Sequence, residues 1–300
     1  MFTFTGCGTA LVTPFQRDLS LDEETLRALI RRQIEAGINF LVPCGTTGES
    51  PTLTRAEHLC VVGIALEEAR GKVPVLAGAG GYNTSEVIEL ARELERMGVD
   101  GILSVTPYYN KPTQEGLYQH YKAIASAIRL PIVVYSVQGR TGVNIEPATM
   151  ARLAAIENIV GVKEASGNIG QVATILNQVP TTFTVLSGDD AVTIPVMALG
   201  GRGIVSVVSN QIPGEMTRLA QACLRGDFET ARRIQARYLP LMNVNFVESN
   251  PIPVKAAMGL MGLLEPVYRL PMTPPSPANL ARIAKVLEAA GLLRSVSLAS

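Results

Sequence analysis

Lys163 ends the β-branched apolar run Ile159-Val160-Gly161-Val162, and Ser166-Gly167-Asn168 breaks the run just beyond it. A charged amine at the end of a buried strand is costly to desolvate unless its charge is lost or put to use. An amine without its proton is a nucleophile, and its natural target is a carbonyl carbon, giving an imine. Read alone, Lys163 is equally well a lysine whose stem packs while its head snorkels to solvent. Other residues carry matching chemistry. Thr46 and Thr47 lie between glycines in Gly45-Thr46-Thr47-Gly48-Glu49, where hydroxyls and loop amides together suit a carboxylate. Tyr108 and Tyr109 follow Thr106-Pro107, and Tyr135 precedes Gly139-Arg140-Thr141-Gly142. A phenol can carry the protons of carbinolamine dehydration and enamine formation, and a loop arginine offers a fixed fork to a second carboxylate. Each has a plainer explanation: an ST-turn, a core tyrosine with a bonded hydroxyl, a solvated arginine.

What decides between these explanations is where the elements put the residues. Short apolar runs alternate with helix-period segments along the chain. The runs are expected as strands over 8–15, 39–44, 73–79, 101–106, 131–137, 159–163, 183–186 and 203–208. Helices are expected after each, the first opened by acids at Asp22, Glu23 and Glu24 and the second by a Thr54/Glu57 capping box. Continuous apolar strands alternating with helices describe a parallel sheet covered by helices, and eight such units point to a closed (β/α)8 TIM barrel. An open doubly wound sheet is the rival, but no G-x-G-x-x-G follows the first strand. Beyond about Leu224 the pattern is helical only, over 228–244, 253–261 and 277–290. The expected division is a catalytic barrel over residues 1–225 and a C-terminal helical subdomain over 226–300. In such a barrel the site lies at the carboxyl ends of the strands. Lys163, Tyr135, Tyr109, the threonine pair and Arg140 all fall there, with Gly188-Asp189-Asp190 closing the seventh strand.

Composition removes several classes. Lysine and arginine total 26 and so do aspartate and glutamate, a balance with no electrostatic footprint for nucleic acid or an anionic membrane. No apolar stretch is long enough to span a bilayer, and Met1 to Gly6 lacks a basic, then apolar, signal pattern. Cys7, Cys44, Cys60 and Cys223 are widely spaced and read as buried free thiols of a reducing compartment, so a cytoplasmic location is expected. His58 and His120 are the only histidines, without metal-ligand spacing, and are expected in surface or packing roles. Asp189 and Asp190 are expected to cap the next helix.

The segments Gly45–Ser50, Val105–Pro112, Gly161–Gly167, Asn250–Lys255 and Arg269–Met272 resemble the pyruvate-dependent class I aldolases of the N-acetylneuraminate lyase superfamily. Within these they are most similar to the 4-hydroxy-tetrahydrodipicolinate synthase (dihydrodipicolinate synthase) family. The resemblance implies a (β/α)8 barrel with a C-terminal helical domain, assembled as a homotetramer. It implies condensation of pyruvate with L-aspartate 4-semialdehyde on the diaminopimelate route to lysine, with no cofactor beyond a pyruvate imine on Lys163. Tyr135 would transfer protons, and Thr46 would link it to Tyr109 from a neighbouring subunit. Thr47 would hold the pyruvate carboxylate, with Gly188 and Val205 lining the substrate, and Arg140 would hold the semialdehyde carboxylate. Sialic acid lyases and sugar-acid or 4-hydroxy-2-oxoglutarate aldolases share the lysine and tyrosine but usually lack the Arg-Thr-Gly after strand five. A catalytically silent barrel that binds a 2-oxo acid is a further alternative.

The chain departs from the family at Ser136-Val137-Gln138-Gly139, where Asn-Val-Pro-x is usual, and loss of the proline is expected to loosen the Arg140 loop. Some members are inhibited by lysine between subunits. The matching positions are Ser50, Pro51, Arg55, His58, Tyr82, Glu86 and Tyr108, of which Arg55 and Tyr82 depart from the inhibited pattern. Weak or absent lysine inhibition is expected.

Overall fold

Each apolar run becomes one strand, and the eight strands close on themselves. The computed structural model describes residues 4–293. The strands are β1 (Gly6–Ala10), β2 (Phe40–Val42), β3 (Leu76–Gly78), β4 (Gly101–Val105), β5 (Ile132–Ser136), β6 (Ile159–Glu164), β7 (Thr184–Ser187) and β8 (Gly203–Ser206). They lie in the order β2-β1-β8-β7-β6-β5-β4-β3, every pair parallel. The ends of that order meet: Leu41 N–H donates to Pro74 O at 2.9 Å, Gly78 N–H donates to Pro43 O at 2.9 Å, and Leu41 bridges Val75. The sheet is therefore a barrel without a free edge.

The outer ring is α1 (Glu23–Glu35), α2 (Arg55–Ala69), α3 (Thr84–Met97), α4 (Gln114–Ala127), α5 (Gln138–Thr141), α6 (Pro147–Leu153), α7 (Ile169–Gln178), α8 (Thr193–Ala198) and α9 (Pro213–Leu224). Asp22, Thr54, Asn83, Thr113 and Asn168 accept a backbone N–H of the first turns of α1, α2, α3, α4 and α7, and Glu57 completes the Thr54 capping box. The barrel interior is a separate apolar cluster of Phe4, Ala10, Phe40, Val42, Leu76, Leu103, Val133, Tyr135, Leu186 and Val205. Gly8 makes room for it: a Cβ there would stand 2.0 Å from the Phe40 ring, its register partner.

The chain ends in α10 (Phe228–Val244), α11 (Ile252–Leu260) and α12 (Pro277–Ala289). α10 packs on α9, and α12 packs on α10 and α11. Ile234, Leu241, Ala257, Ile283 and Leu287 join the same apolar core as the barrel helices, so these helices share the barrel's core.

Three expectations shift. β1 ends at Ala10 rather than Phe15, because Asn210 takes over: its Nδ2 donates to Ala10 O at 2.8 Å and its Oδ1 accepts Val12 N–H at 3.2 Å. The helix expected after the seventh strand opens as a 3-10 turn over Asp190–Val192, then continues as α8. The loop after β5 contains one helical turn, α5, which periodicity cannot detect in four residues.

Candidate active site

Register brings the lysine and the tyrosine together. β5 and β6 pair so that Tyr135 lies opposite Lys163, and β6 and β7 pair so that Lys163 lies opposite Leu186. Partners in adjacent parallel strands point to the same face, here the barrel interior. Lys163 Nζ stands 4.1 Å from the centroid of the Tyr135 ring, and the two side chains are 5% and 6% exposed. No carboxylate pairs with Lys163 among the described residues. Glu164, next in sequence, faces outward by strand alternation and accepts Gln171 Nε2–H at 2.9 Å. The amine is thus buried against a phenol with no counter-ion to occupy it.

Gly188 keeps the space beside that amine. A Cβ at Gly188 would lie 3.2 Å from Lys163 Cε and 2.5 Å from Ala165 Cβ. Val205, fully buried in β8, completes the same interior layer.

Thr46 and Thr47 sit in a tight turn after β2. Gly45 O accepts Gly48 N–H at 3.1 Å, and Thr46 O accepts Glu49 N–H at 3.1 Å. Glu49 has φ 53, a left-handed conformation costly for a non-glycine residue, and its side chain explains why it holds. Lys255 Nζ from α11 donates to Glu49 Oε1 at 2.6 Å and to Thr13 O at 3.1 Å, with both ion-pair side chains essentially unexposed. Burial lowers the Lys255 pKa and the Glu49 charge raises it in opposition. Phe15 and Tyr268 close over the ammonium at 4.5 and 5.5 Å from their ring centroids. Thr47 is buried, and its Oγ1 accepts Asn250 Nδ2–H at 2.9 Å. No hydrogen bond joins Thr46 to Tyr135 among the described residues.

Arg140 lies in α5, and its Nη2 donates to the main-chain O of Asn250 at 3.1 Å. The Arg140 loop, expected to be loosened, is tied down by Thr141: its Oγ1 bonds Val137 O at 3.1 Å, Val143 O at 3.0 Å and Thr106 Oγ1 at 3.2 Å. Tyr109 has φ 65 and is 92% exposed, the most exposed large apolar side chain among the described residues. It does not touch the Lys163 cluster within this chain.

A cavity of about 370 Å³ opens beside the site. Thr46, Val137 and Arg140 line it together with Ser50, Arg55, His58, Glu86 and Tyr108; Lys163 and Tyr135 do not. Tyr82 meets Tyr108 edge to face at 5.2 Å. Arg55 Nε is paired with Glu93 at 2.8 Å. His58 Nε2 lies 3.0 Å from Gly78 O, which requires that ring nitrogen to carry the proton. Burial draws His58 down to about 4, and His120, bonded to Thr84 Oγ1 at 2.9 Å, likewise to about 4. Both histidines are packing residues, not surface ones.

Asp189 caps the 3-10 turn through Ala191 N–H, as expected, but Asp190 does not cap α8. Its buried carboxylate accepts Ser206 Oγ–H at 2.6 Å and the N–H groups of Val207 and Val208, tying β7 to β8; burial raises it to about 6. Cys7, Cys44 and Cys223 are buried free thiols, and Cys60 is only half-buried. Among the described residues no three His, Cys, Asp or Glu side chains group to hold a metal, and no helix is long and apolar enough to cross a membrane.

Sequence reasoning passed over Asn250, Glu49 and Lys255 as site residues. The available signal was a lysine inside the apolar stretch Ile252–Met258, the same signal that singled out Lys163.

The chain and its barrel have close counterparts. The chain is 54% identical over 295 residues to the 4-hydroxy-tetrahydrodipicolinate synthase of Koribacter versatilis, covering 98% of each. It superposes with a TM-score of 0.95 on a monomeric dihydrodipicolinate synthase variant, at 46% identity, covering 97% of this chain and 98% of that one. It matches the Acinetobacter baumannii dihydrodipicolinate synthase, a chloride-inhibited form complexed with pyruvate, with a TM-score of 0.95 and 41% identity, covering 97% of this chain and all of the other. Residues 3–290 match the model of one family, so the barrel, its buried lysine and nearly the whole chain belong to the dihydrodipicolinate synthetase family.

Proposed function

We propose that this chain is a 4-hydroxy-tetrahydrodipicolinate synthase, condensing pyruvate with L-aspartate 4-semialdehyde. The carrying observation is Lys163, buried without a counter-ion 4.1 Å from the ring of Tyr135 and beside the space that Gly188 leaves. Lys163 Nζ adds to C2 of pyruvate, and the ketone oxygen leaves as water with protons passed by Tyr135. Loss of a C3 proton gives an enamine, whose C3 bonds the aldehyde carbon of the second substrate as the aldehyde oxygen takes up a proton, and that substrate's amine then displaces Lys163 Nζ from C2. Thr47 holds the pyruvate carboxylate, Gly188 and Val205 bound it, and Arg140 holds the semialdehyde carboxylate. The covalent imine serves where other enzymes use a cofactor.

Thr46 relays protons between Tyr135 and Tyr109 of a neighbouring subunit in this reading. In this reading the enzyme is a cytoplasmic homotetramer with a shared site; the exposure of Tyr109 in the single chain supports a subunit contact there. In the division at 1–225 and 226–300, the barrel supplies the substrate contacts, and the described part of the C-terminal subdomain braces them through Asn250 and Lys255.

The same cavity suits an amino-acid effector at Ser50, His58, Glu86 and Tyr108, with Tyr82 reaching it only through its contact with Tyr108. Arg55 is turned to Glu93, and Tyr82 fills space against Tyr108, which favours weak or absent inhibition by L-lysine. A sub-millimolar inhibition constant for L-lysine would contradict this.

The test is a coupled assay with the reductase that consumes the product. Turnover of pyruvate with aspartate semialdehyde, lost in Arg140→Ala, is expected. Comparable cleavage of N-acetylneuraminate, a keto-deoxy sugar acid or 4-hydroxy-2-oxoglutarate would assign the lyase or aldolase reaction instead, and no covalent pyruvate adduct would assign a silent 2-oxo-acid-binding barrel.

A further inference from the structure

Asn250 touches both residues assigned to the substrate carboxylates. Its Nδ2 donates to Thr47 Oγ1 at 2.9 Å, and its main-chain O accepts Arg140 Nη2–H at 3.1 Å. Asn250 is 4% exposed and its Oδ1 is buried without a hydrogen-bond partner among the described residues. It is anchored from behind: Pro251 O accepts Lys255 N–H at 3.0 Å, and Lys255 is locked to Glu49 in the threonine turn. The residue therefore belongs to the same rigid unit as the turn that it meets.

A hydroxyl is one donor and two acceptors. When an amide N–H takes an acceptor site on Thr47 Oγ1, the hydroxyl's own proton is left to point elsewhere. A carboxylate only accepts, so a hydroxyl that must bind one has to present its proton. We infer that Asn250 is a positioning residue that sets the direction of the Thr47 hydroxyl, making it a donor to the pyruvate carboxylate, and orients the Arg140 fork from the same peptide. This rests on the reading of Thr47 as the carboxylate seat.

The test exploits a near-isosteric change. In Asn250→Asp the ionised carboxylate has no proton to give, so it captures the Thr47 hydroxyl proton and repels the substrate anion. Pyruvate KM should rise roughly tenfold or more, the scale of a hydrogen bond to a charged group, with a much smaller change in kcat. KM should return toward the wild-type value as acid pH protonates the introduced carboxylate, which regains an O–H donor. The double variant of Asn250→Ala, which adds no charge, with Thr47→Val should show no further rise beyond Thr47→Val alone. The half-saturating pyruvate concentration for borohydride trapping gives the same quantity without turnover. Should Asn250→Asp not fold, Asn250→Ala in the same cycle decides by the same non-additivity.

An Asn250→Asp KM within about twofold of wild type would show that neither the direction of the Thr47 hydroxyl nor the added charge affects the seat, and would overturn the inference. Full additivity with Thr47→Val would overturn it too, while leaving the carboxylate seat intact. Unchanged pyruvate KM in Thr47→Val alone would remove the seat itself.

Discussion

Lys163 and Tyr135 are register partners on neighbouring strands, and this pairing alone sets the amine 4.1 Å above the phenol ring. Neither residue depends on a flexible loop for its position. The pairing separates two duties of Tyr135: the ring packs in the barrel interior, and the hydroxyl is free for chemistry. Tyr135→Phe keeps the first and deletes the second. We expect kcat to fall about 10²–10⁴-fold, the range for a lost general acid–base group, with little change in melting temperature. Loss of under threefold in steady-state kinetics would show that another group carries the protons.

The Lys255–Glu49 pair is buried on both sides, so removing one partner strands the other charge. Lys255→Met should destabilise the chain by about 3–5 kcal/mol in denaturant unfolding. Adding Glu49→Gln should restore part of that loss, because the stranded carboxylate goes. A Lys255→Met variant within about 1 kcal/mol of wild type would mean that water reaches Glu49.

Gln138 stands where the family usually has proline, and its backbone is ready for one. It is the first residue of α5, and the preceding Val137 has φ −143 and ψ 73, outside the helical region that proline disfavours before it. Gln138→Pro should therefore raise stability by about 0.4–1 kcal/mol. Hydrogen bonds of Thr141, rather than the proline, fasten the Arg140 loop here, so kcat should stay within about twofold, well under the effect of one lost hydrogen bond. A drop in melting temperature would show that the Gln138 N–H is used.

His58 and His120 are both drawn from 6.5 to about 4 by burial. The unfolded chain binds more protons in that window, so stability is full above about pH 6.5 and falls as pH drops toward about 4, by up to about 3 kcal/mol per ring. Asp190, raised to about 6, works the other way over part of the range. Replacing one histidine isolates its share: His58→Gln should lose less stability than wild type between about pH 7 and about pH 4.5 in denaturant titrations. Equal losses would mean that His58 protonates without penalty.

The barrel was legible because each strand is a short apolar run and several helices carry side-chain caps, as at Thr54 and Asn168. Lys163 was legible for the opposite reason, as a charge where the pattern demands an apolar residue. Asn250 and Lys255 were not: their partners Thr47 and Glu49 lie 203 and 206 residues away, and no local periodicity reports such a contact. β1 was overextended because Leu11 and Val12 continue the apolar run while Asn210, far along the chain, ends the ladder. Asp190 looks like a cap in sequence because the next helix is close, whereas its buried carboxylate bonds the end of the neighbouring strand β8.

The central claim is that Lys163 forms the imine. Incubation with pyruvate, reduction by borohydride and peptide mass mapping tests it directly. The expected result is a reduced pyruvate adduct on the peptide containing Lys163, absent in Lys163→Ala. An adduct on a different lysine, or none at saturating pyruvate in the folded wild-type protein, would contradict the account.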